Sequence, residues 1–414
     1  MSSEQSGHSK TRRKRVLSLV VVVLVAFAGI LLLTVMQPPG KMDYIEYWSS
    51  GKLIVQHANP YSPSKIFALE SGAGAPYSRP LIMLNPPWAL FLVAPLGFCG
   101  IYGGLFLWQV VIIGCVIASI LLLNRHASHG PLALVFAPVV ACLCSGQSAP
   151  FLLLGFVLFL HYHRSRPFVA GASLLLMAIK PHLFLVFLAV LLIDCIYRRR
   201  FLILAGAASS LAAATVVSLC FDPHIWSHYL ETVRGYQVQH AFLPTASMLF
   251  RMAIDVRIFW LLFVPSLVGI VWGVWYYFRW KGSWDWKTHG MLLMLVTILV
   301  SPYGFFSDEI VLLPSIAFAI VYPYRRKYSG WILLIVNTAA LCVVAFSGKL
   351  TSPWFIWTPT AWLLWFLYAT RGFRRVGEQA IPASDTVQIA SLEGAYGVRT
   401  LERNSRNGSP ASLL

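Results

Sequence analysis

Apolar stretches of spanning or near-spanning length follow one another from residue 16 to residue 370, and few folds can accommodate that. After Val16–Met36 they fall at about 84–98, 102–123, 131–145, 149–162, 167–179, 182–197, 201–220, 258–278, 289–301, 309–323, 331–347 and 353–370. Roughly 20 apolar residues cross about 30 Å of hydrocarbon as a helix. Inside lipid every backbone polar group must bond internally, which leaves helices or closed barrels. Of 414 residues, 58% are hydrophobic and only 11% charged, with a mean hydropathy of +0.70. Soluble domains run near 25% charged. The pattern predicts an all-α, polytopic transmembrane bundle of roughly ten to thirteen helices. Several segments are too short to cross alone, so half-helices or re-entrant pieces are expected among them.

The net charge of +17 suggests nucleic acid at first sight, but its distribution does not. Lys and Arg gather in short connectors: Arg12–Arg15, Arg198–Arg200, Arg325–Lys327, and Arg371 with Arg374 and Arg375. Cytoplasmic loops carry that bias, so the charge reads as topology and headgroup contact, with no nucleic-acid partner. Three units follow. Residues 1–15 form a basic cytoplasmic N-terminus, 16–370 the membrane domain, and 371–414 a polar cytoplasmic tail expected to be disordered. Val16–Met36 reads as an uncleaved signal anchor. With the basic connectors inside, loops 37–83, 221–257 and 302–308 face the opposite side. The first half leaves parity open, because two full crossings between residues 84 and 123 would put Arg125 and His126 outside. The seven cysteines are scattered without metal-ligand or redox spacing and read as packing residues.

The first outer loop carries the strongest chemical signal. It reads Asp43-Tyr44-Ile45-Glu46-Tyr47-Trp48, then Gly51-Lys52 and Asn59-Pro60-Tyr61. Its aromatic, proline-punctuated composition suits short interfacial helices at headgroup level. A carboxylate placed just beyond a span is costly near lipid and so invites a functional role. Asp43 could act as a general base on a hydroxyl beside a lipid-borne substrate. The same residue also suits the cap of a short helix.

The loop pattern, followed by Asn85-Pro86-Pro87, resembles the opening of the glycosyltransferase family 87 proteins. Further marks fall in order: Ser145-Gly146-Gln147-Ser148, Lys180-Pro181, and Ser301-Pro302-Tyr303 with Asp308. Together they cover about two thirds of the chain. The resemblance implies a GT-C-type membrane enzyme that takes a sugar, with mannose foremost, from a polyprenyl-phosphate donor. The acceptor would be a lipid or glycan at the outer face, and the setting a bacterial inner (cell) membrane and its envelope. It lays the catalytic base on Asp43 and gives Glu46 a supporting place. Asn59-Pro60-Tyr61 would shape the loop, since proline fixes its own φ and pushes its predecessor extended.

The remaining candidates carry two readings each. Lys180, with His182 beside it, could neutralise the donor phosphate or mark a break between half-helices. Gln147 could bind a sugar hydroxyl or satisfy backbone at a helix break. Asp308 could orient substrate or cap the helix that follows. The family pattern expects an aromatic or histidine before that aspartate, whereas Ser307-Asp308-Glu309 stands here, which leaves a catalytically dead scaffold open. The 221–257 loop holds Asp222, His224, Trp226, His228, Tyr229 and Arg234. This mixture suits sugar binding, with Arg234 a second phosphate ligand, or simply anchors an interface. His224 and His228 share a helical face but lack a third ligand, so no metal is expected.

No P-loop, dinucleotide-type glycine motif or D-x-D sequence occurs, which fits a lipid-phosphate donor and no cofactor. The reading is an inverting hexosyltransferase with Asp43 as base. Its rival is a multi-pass transporter or lipid flippase using Asp43, Lys180 and Asp308 as coupling charges.

Overall fold

The computed structural model describes residues 38–123, 134–235, 243–322, 325–347 and 351–370. The first span expected at Val16–Met36, the N-terminal basic segment and the tail from 371 lie outside them. Sixteen α-helices occur among the described residues, with short 3-10 turns and no strand. In order they are α1 (Tyr44–Val55), α2 (Pro63–Gly72), α3 (Leu90–Gly97), α4 (Ile101–Leu123), α5 (Ala137–Ser145), α6 (Ala149–Tyr162), α7 (Pro167–Met177) and α8 (Leu185–Tyr197). There follow α9 (Phe201–Phe221), α10 (Ile225–Gly235), α11 (Ala246–Ile254), α12 (Val264–Trp280), α13 (His289–Leu299), α14 (Leu313–Val321), α15 (Ser329–Ser347) and α16 (Thr358–Ala369). Setting aside α1, α2, α10 and α11, which lie in the loops 37–83 and 221–257, leaves twelve, within the range the apolar segments suggest.

Four helical stretches are long and apolar enough to cross a membrane: Ile101–Leu123, Phe201–Phe221, Phe259–Trp280 and Ser329–Ser347. The chain is an integral membrane protein of helical-bundle architecture. Several other apolar helices are short, among them Ala149–Tyr162, Pro167–Met177 and His289–Leu299. They begin or end at backbone breaks around residues 146–148, 178–184 and 300–305. Irregular backbone at membrane depth is tolerated where it lines a cavity, and these three breaks border the site described below.

The open parity of the first half has a simple answer. α3 is eight residues long, about 12 Å at 1.5 Å per residue, so it cannot cross. It lies instead against α1, where Gly51 and Gly97 meet backbone to backbone; a β-carbon on either would collide with the other helix's main chain. Tyr44 donates to the carbonyl of Ile101 at 3.0 Å and Trp48 to that of Cys99 at 3.2 Å, which fixes the start of α4 beside α1. Residues 84–123 thus hold one helix long enough to cross, not two, and Leu123 ends near His161 and Lys287.

That far end is basic and pinned. Asp194 is fully buried on α8 and accepts from Tyr277 at 3.0 Å, from Trp286 at 2.9 Å and from Arg198 at 2.8 Å. Arg164 pairs with Asp285 at 2.7 Å, and Arg198 reaches the carbonyl of Lys281 at 2.7 Å. At the opposite end, Asp43, Tyr77, Tyr229, Leu243, Tyr303 and Asp308 line a single cavity. The loops 37–83, 221–257 and 302–308 therefore meet at one face of the bundle.

Candidate active site

Asp43 directly precedes α1, yet its carboxylate does not cap that helix. Instead Oδ2 accepts from Nε2 of Gln147 at 2.8 Å. The helix presents Asp43, Glu46 and Tyr47 at i, i+3 and i+4, which is one face, and all three line a cavity of about 700 Å³.

Gln147 sits in the break between α5 and α6, and its neighbours hold it there. Gly146 has φ +74°, the left-handed region, and a β-carbon on it would stand 2.9 Å from that of Tyr44. Only glycine suits both demands. Trp108 donates to the Gly146 carbonyl at 2.7 Å and stacks on Tyr47, with ring centres 4.9 Å apart. The Tyr47 hydroxyl lies 3.0 Å from Oε1 of Gln147 and 3.1 Å from Oγ of Ser148. Oε1 also receives Nζ of Lys180 at 3.3 Å. With two donors on the oxygen and a carboxylate on the nitrogen, only one orientation of this amide satisfies every partner.

Lys180 occupies the break after α7. Asn85 donates to the carbonyl of Ile179 at 2.9 Å and Trp88 to that of Ala178 at 2.8 Å, so the Asn-Pro-Pro segment fixes this turn. The Lys180 ammonium is buried and pairs with Oδ1 of Asp308 at 2.7 Å, above the Phe305 ring at 5.2 Å. Oδ2 of Asp308 accepts the backbone N–H of Phe305 at 2.9 Å. Asp308 thus caps the turn that follows Phe305 and at the same time balances the charge of Lys180. His182 also lines the cavity and stacks on Tyr303 with centres 3.9 Å apart.

The other loop residues divide between holding the backbone and lining the cavity. Asn59 accepts from the backbone of Tyr61 at 2.9 Å, and Tyr61 is buried, bonding the Asn85 carbonyl at 2.9 Å and packing against Tyr229. Asp222 bonds the backbone of His224 at 2.9 Å and the ring of His228 at 2.8 Å, which fixes the start of α10. Arg234 is exposed near the end of α10 and does not line the cavity, whereas Tyr229 and Val233 do. Glu309 points away into the bundle, accepting from Thr358 at 2.6 Å and Trp362 at 2.8 Å. Among the described residues no three His, Cys, Asp or Glu side chains gather to hold a metal ion.

Burial pushes the Asp43 carboxyl above its ordinary pKa, and Asp308 adds to the rise; Gln147 and Lys180 oppose it. Glu46 is raised to about 8, chiefly by burial and then by the charge of Asp43. Such a pair of acids with differing surroundings is a common mark of acid–base sites. The sequence signals Asp43, Gln147, Lys180 and Asp308 separately. It gives no sign that they join in one chain, Asp43–Gln147–Lys180–Asp308, or that Tyr77 enters the cavity from beyond α2.

The model of glycosyltransferase family 87 matches residues 84–302, more than half of the chain. The protein belongs to this family. No curated protein and no solved structure matches it. As a family 87 glycosyltransferase it acts on a sugar donor and an acceptor at the membrane. The matched region holds Gln147 and Lys180, and these two side chains tie in Asp43 and Asp308 from either side of it.

Proposed function

We propose that this family 87 protein moves a hexose, mannose foremost, from a polyprenyl monophosphate to a lipid or glycan acceptor at the outer face of a bacterial inner membrane. The observation that carries this reading is the Gln147 clamp, which sets a carboxylate and an ammonium on one amide inside an aromatic-lined cavity. Asp43 takes the proton of the acceptor hydroxyl. The freed oxygen attacks the anomeric carbon as the bond from that carbon to the phosphate oxygen breaks, and the configuration inverts. The departing phosphate meets Lys180, and the start of α6 adds the positive end of its dipole. Tyr77, Tyr229 and Tyr303 offer faces for sugar rings, while the apolar walls at Leu81, Ile82 and Leu84 suit a polyprenyl chain.

Lys180 already balances Asp308, so the donor phosphate recruits it by competing for the ammonium. A buried pair that exchanges partners fits a phosphate that must be held and then released. The transporter reading fares worse, because the charges it needs sit together in this cavity. The second large cavity, at the basic end, shares no lining residue with it.

The test is transfer of labelled sugar from synthetic polyprenyl-phosphate-mannose by the purified protein in lipid, with a membrane-lipid extract as acceptor. Product from the native protein and none from Asp43→Ala supports both class and base. A glucose-charged donor used equally well would remove mannose as the sugar, and equal product from both proteins would remove Asp43 as the base.

A further inference from the structure

A second cavity of about 610 Å³ opens on the side of the bundle at its basic end. Its walls are nearly all aliphatic or aromatic and come from the ends of α4 and α6 and from α14 and α15. Val135, Val321 and Leu334 on it are exposed, so it faces outward, toward the bilayer. Its polar lining consists of His161, Lys287, Arg325 and Asn337, and no carboxylate lies among the lining residues. Asn337 is occupied: it accepts from the backbone of Ala137 at 2.8 Å and donates to the carbonyl of Val135 at 2.9 Å, closing the cavity wall. Lys287 and Arg325 are both exposed.

An apolar groove with two cations and no acid is complementary to an anionic amphiphile. We propose that it binds an anionic glycerophospholipid of the leaflet at the basic end, acyl chain along α14 and α15 and headgroup phosphate between Lys287 and Arg325. Three arguments on the molecule favour this occupant. Its volume lies in the range of small-ligand sites, about 300–1,000 Å³. Basic side chains near an anionic leaflet attract its lipids, and here two border one apolar slot. A zwitterionic lipid would satisfy the slot but leave the cations without a net counter-charge.

The groove is mechanically close to the active site. Leu313 and Pro314, on its wall, continue directly from the 3-10 turn Phe306–Leu312 that carries Asp308. α15 lines this groove near Gly330 and the outer cavity near Ser347. A lipid seated here would brace both elements that border the site.

The experiment titrates the full-length protein in detergent with phosphatidylglycerol or phosphatidylcholine, reading bound lipid by native mass spectrometry and melting by thermal shift. Phosphatidylglycerol should bind and stabilise at a concentration at least tenfold lower than phosphatidylcholine. K287A/R325A should erase that tenfold preference, while R279A/K281A, which removes two basic residues of the same end outside the groove, should keep it. G330F, which places a ring on a lining residue whose β-carbon meets no atom within 4 Å, should abolish binding of both lipids with the cations intact. Equal midpoints for the two lipids in the native protein, equal loss in the control pair, or unchanged binding in G330F would each overturn the proposal.

Discussion

The Asp43 carboxylate accepts a 2.8 Å hydrogen bond from Gln147, 104 residues further along the chain. The carboxylate is turned into the cavity and makes no helix cap. A positioned base contributes about 10²- to 10⁴-fold to a rate. Asp43→Ala should therefore lower sugar transfer by about 10²- to 10⁴-fold at unchanged protein yield. Glu46→Gln should retain most of the activity, since Glu46 is held protonated below about 8 and the amide resembles that form. Equal activities for native, Asp43→Ala and Glu46→Gln proteins would sink the assignment of the base.

The neighbours of Asp43 should move the pH profile in opposite directions. Lys180 lowers the Asp43 pKa and Asp308 raises it. A general base works only when ionised, so activity falls as pH drops through its pKa. In Lys180→Met the acid limb of the rate profile should move to higher pH, and in Asp308→Asn to lower pH. Measuring transfer across the acid limb of the profile for the native protein and both variants distinguishes them. Movement of both limbs in the same direction would contradict the electrostatic coupling.

The Lys180–Asp308 pair makes a separate stability prediction. Both side chains are almost fully buried, and removing one partner of a buried pair strands the other at a cost of about 3–5 kcal/mol. Each single variant, Lys180→Met or Asp308→Asn, should melt well below the native protein. The double variant should recover a large part of the loss, because no charge is left unpaired. Additive losses in a double-mutant cycle would show that the two residues act independently.

Much of this architecture is legible in the sequence, and the limits have physical causes. Hydropathy locates the twelve helices outside the loops 37–83 and 221–257, because lipid imposes one backbone solution on apolar segments. The positive-inside pattern correctly groups the three outer loops. Parity between residues 84 and 123 is not legible, since α3 is as apolar as a span and is distinguished only by its length and by the Gly51–Gly97 contact. At the site, Asp43, Gln147, Lys180 and Asp308 stand out one by one as polar residues at helix breaks. Their union through Gln147 depends on separations of 33, 104 and 128 residues, which no local pattern encodes. Arg234 shows the converse: a cation of suitable type in a suitable loop, placed by the helix on the outer surface of α10.

Glu46 should leave a signature in stability. Its pKa rises from an ordinary 4.5 to about 8 on folding. A group raised in the folded state favours folding fully below its unfolded pKa, and that contribution is lost as pH climbs through the folded value. The native protein should therefore become less stable between about pH 4.5 and 8, and Glu46→Gln should show a shallower decline across the same window. Glu70, raised to about 7 by burial, contributes in the same direction and accounts for a remaining slope. An identical slope with and without Glu46 would mean that the residue ionises freely.

Gly146 offers the sharpest test of the clamp, because substituting it touches no reacting group. An added methyl must adopt a left-handed backbone, at about 1–2 kcal/mol, and also displace Tyr44, whose β-carbon would lie 2.9 Å away. Either adjustment shifts the next residue, Gln147, away from Asp43 and Lys180. A misplacement of about 1 Å near reacting groups can cost about 10²-fold in rate. Gly146→Ala should accordingly cut turnover severely and raise the KM for donor, with the fold retained in circular dichroism. Gly114→Ala is the control: it lies within α4, its new β-carbon meets nothing within 4 Å, and alanine is the better helix former. Should Gly146→Ala turn over as fast as Gly114→Ala, the amide of Gln147 would not be what sets Asp43 and Lys180 in their working positions.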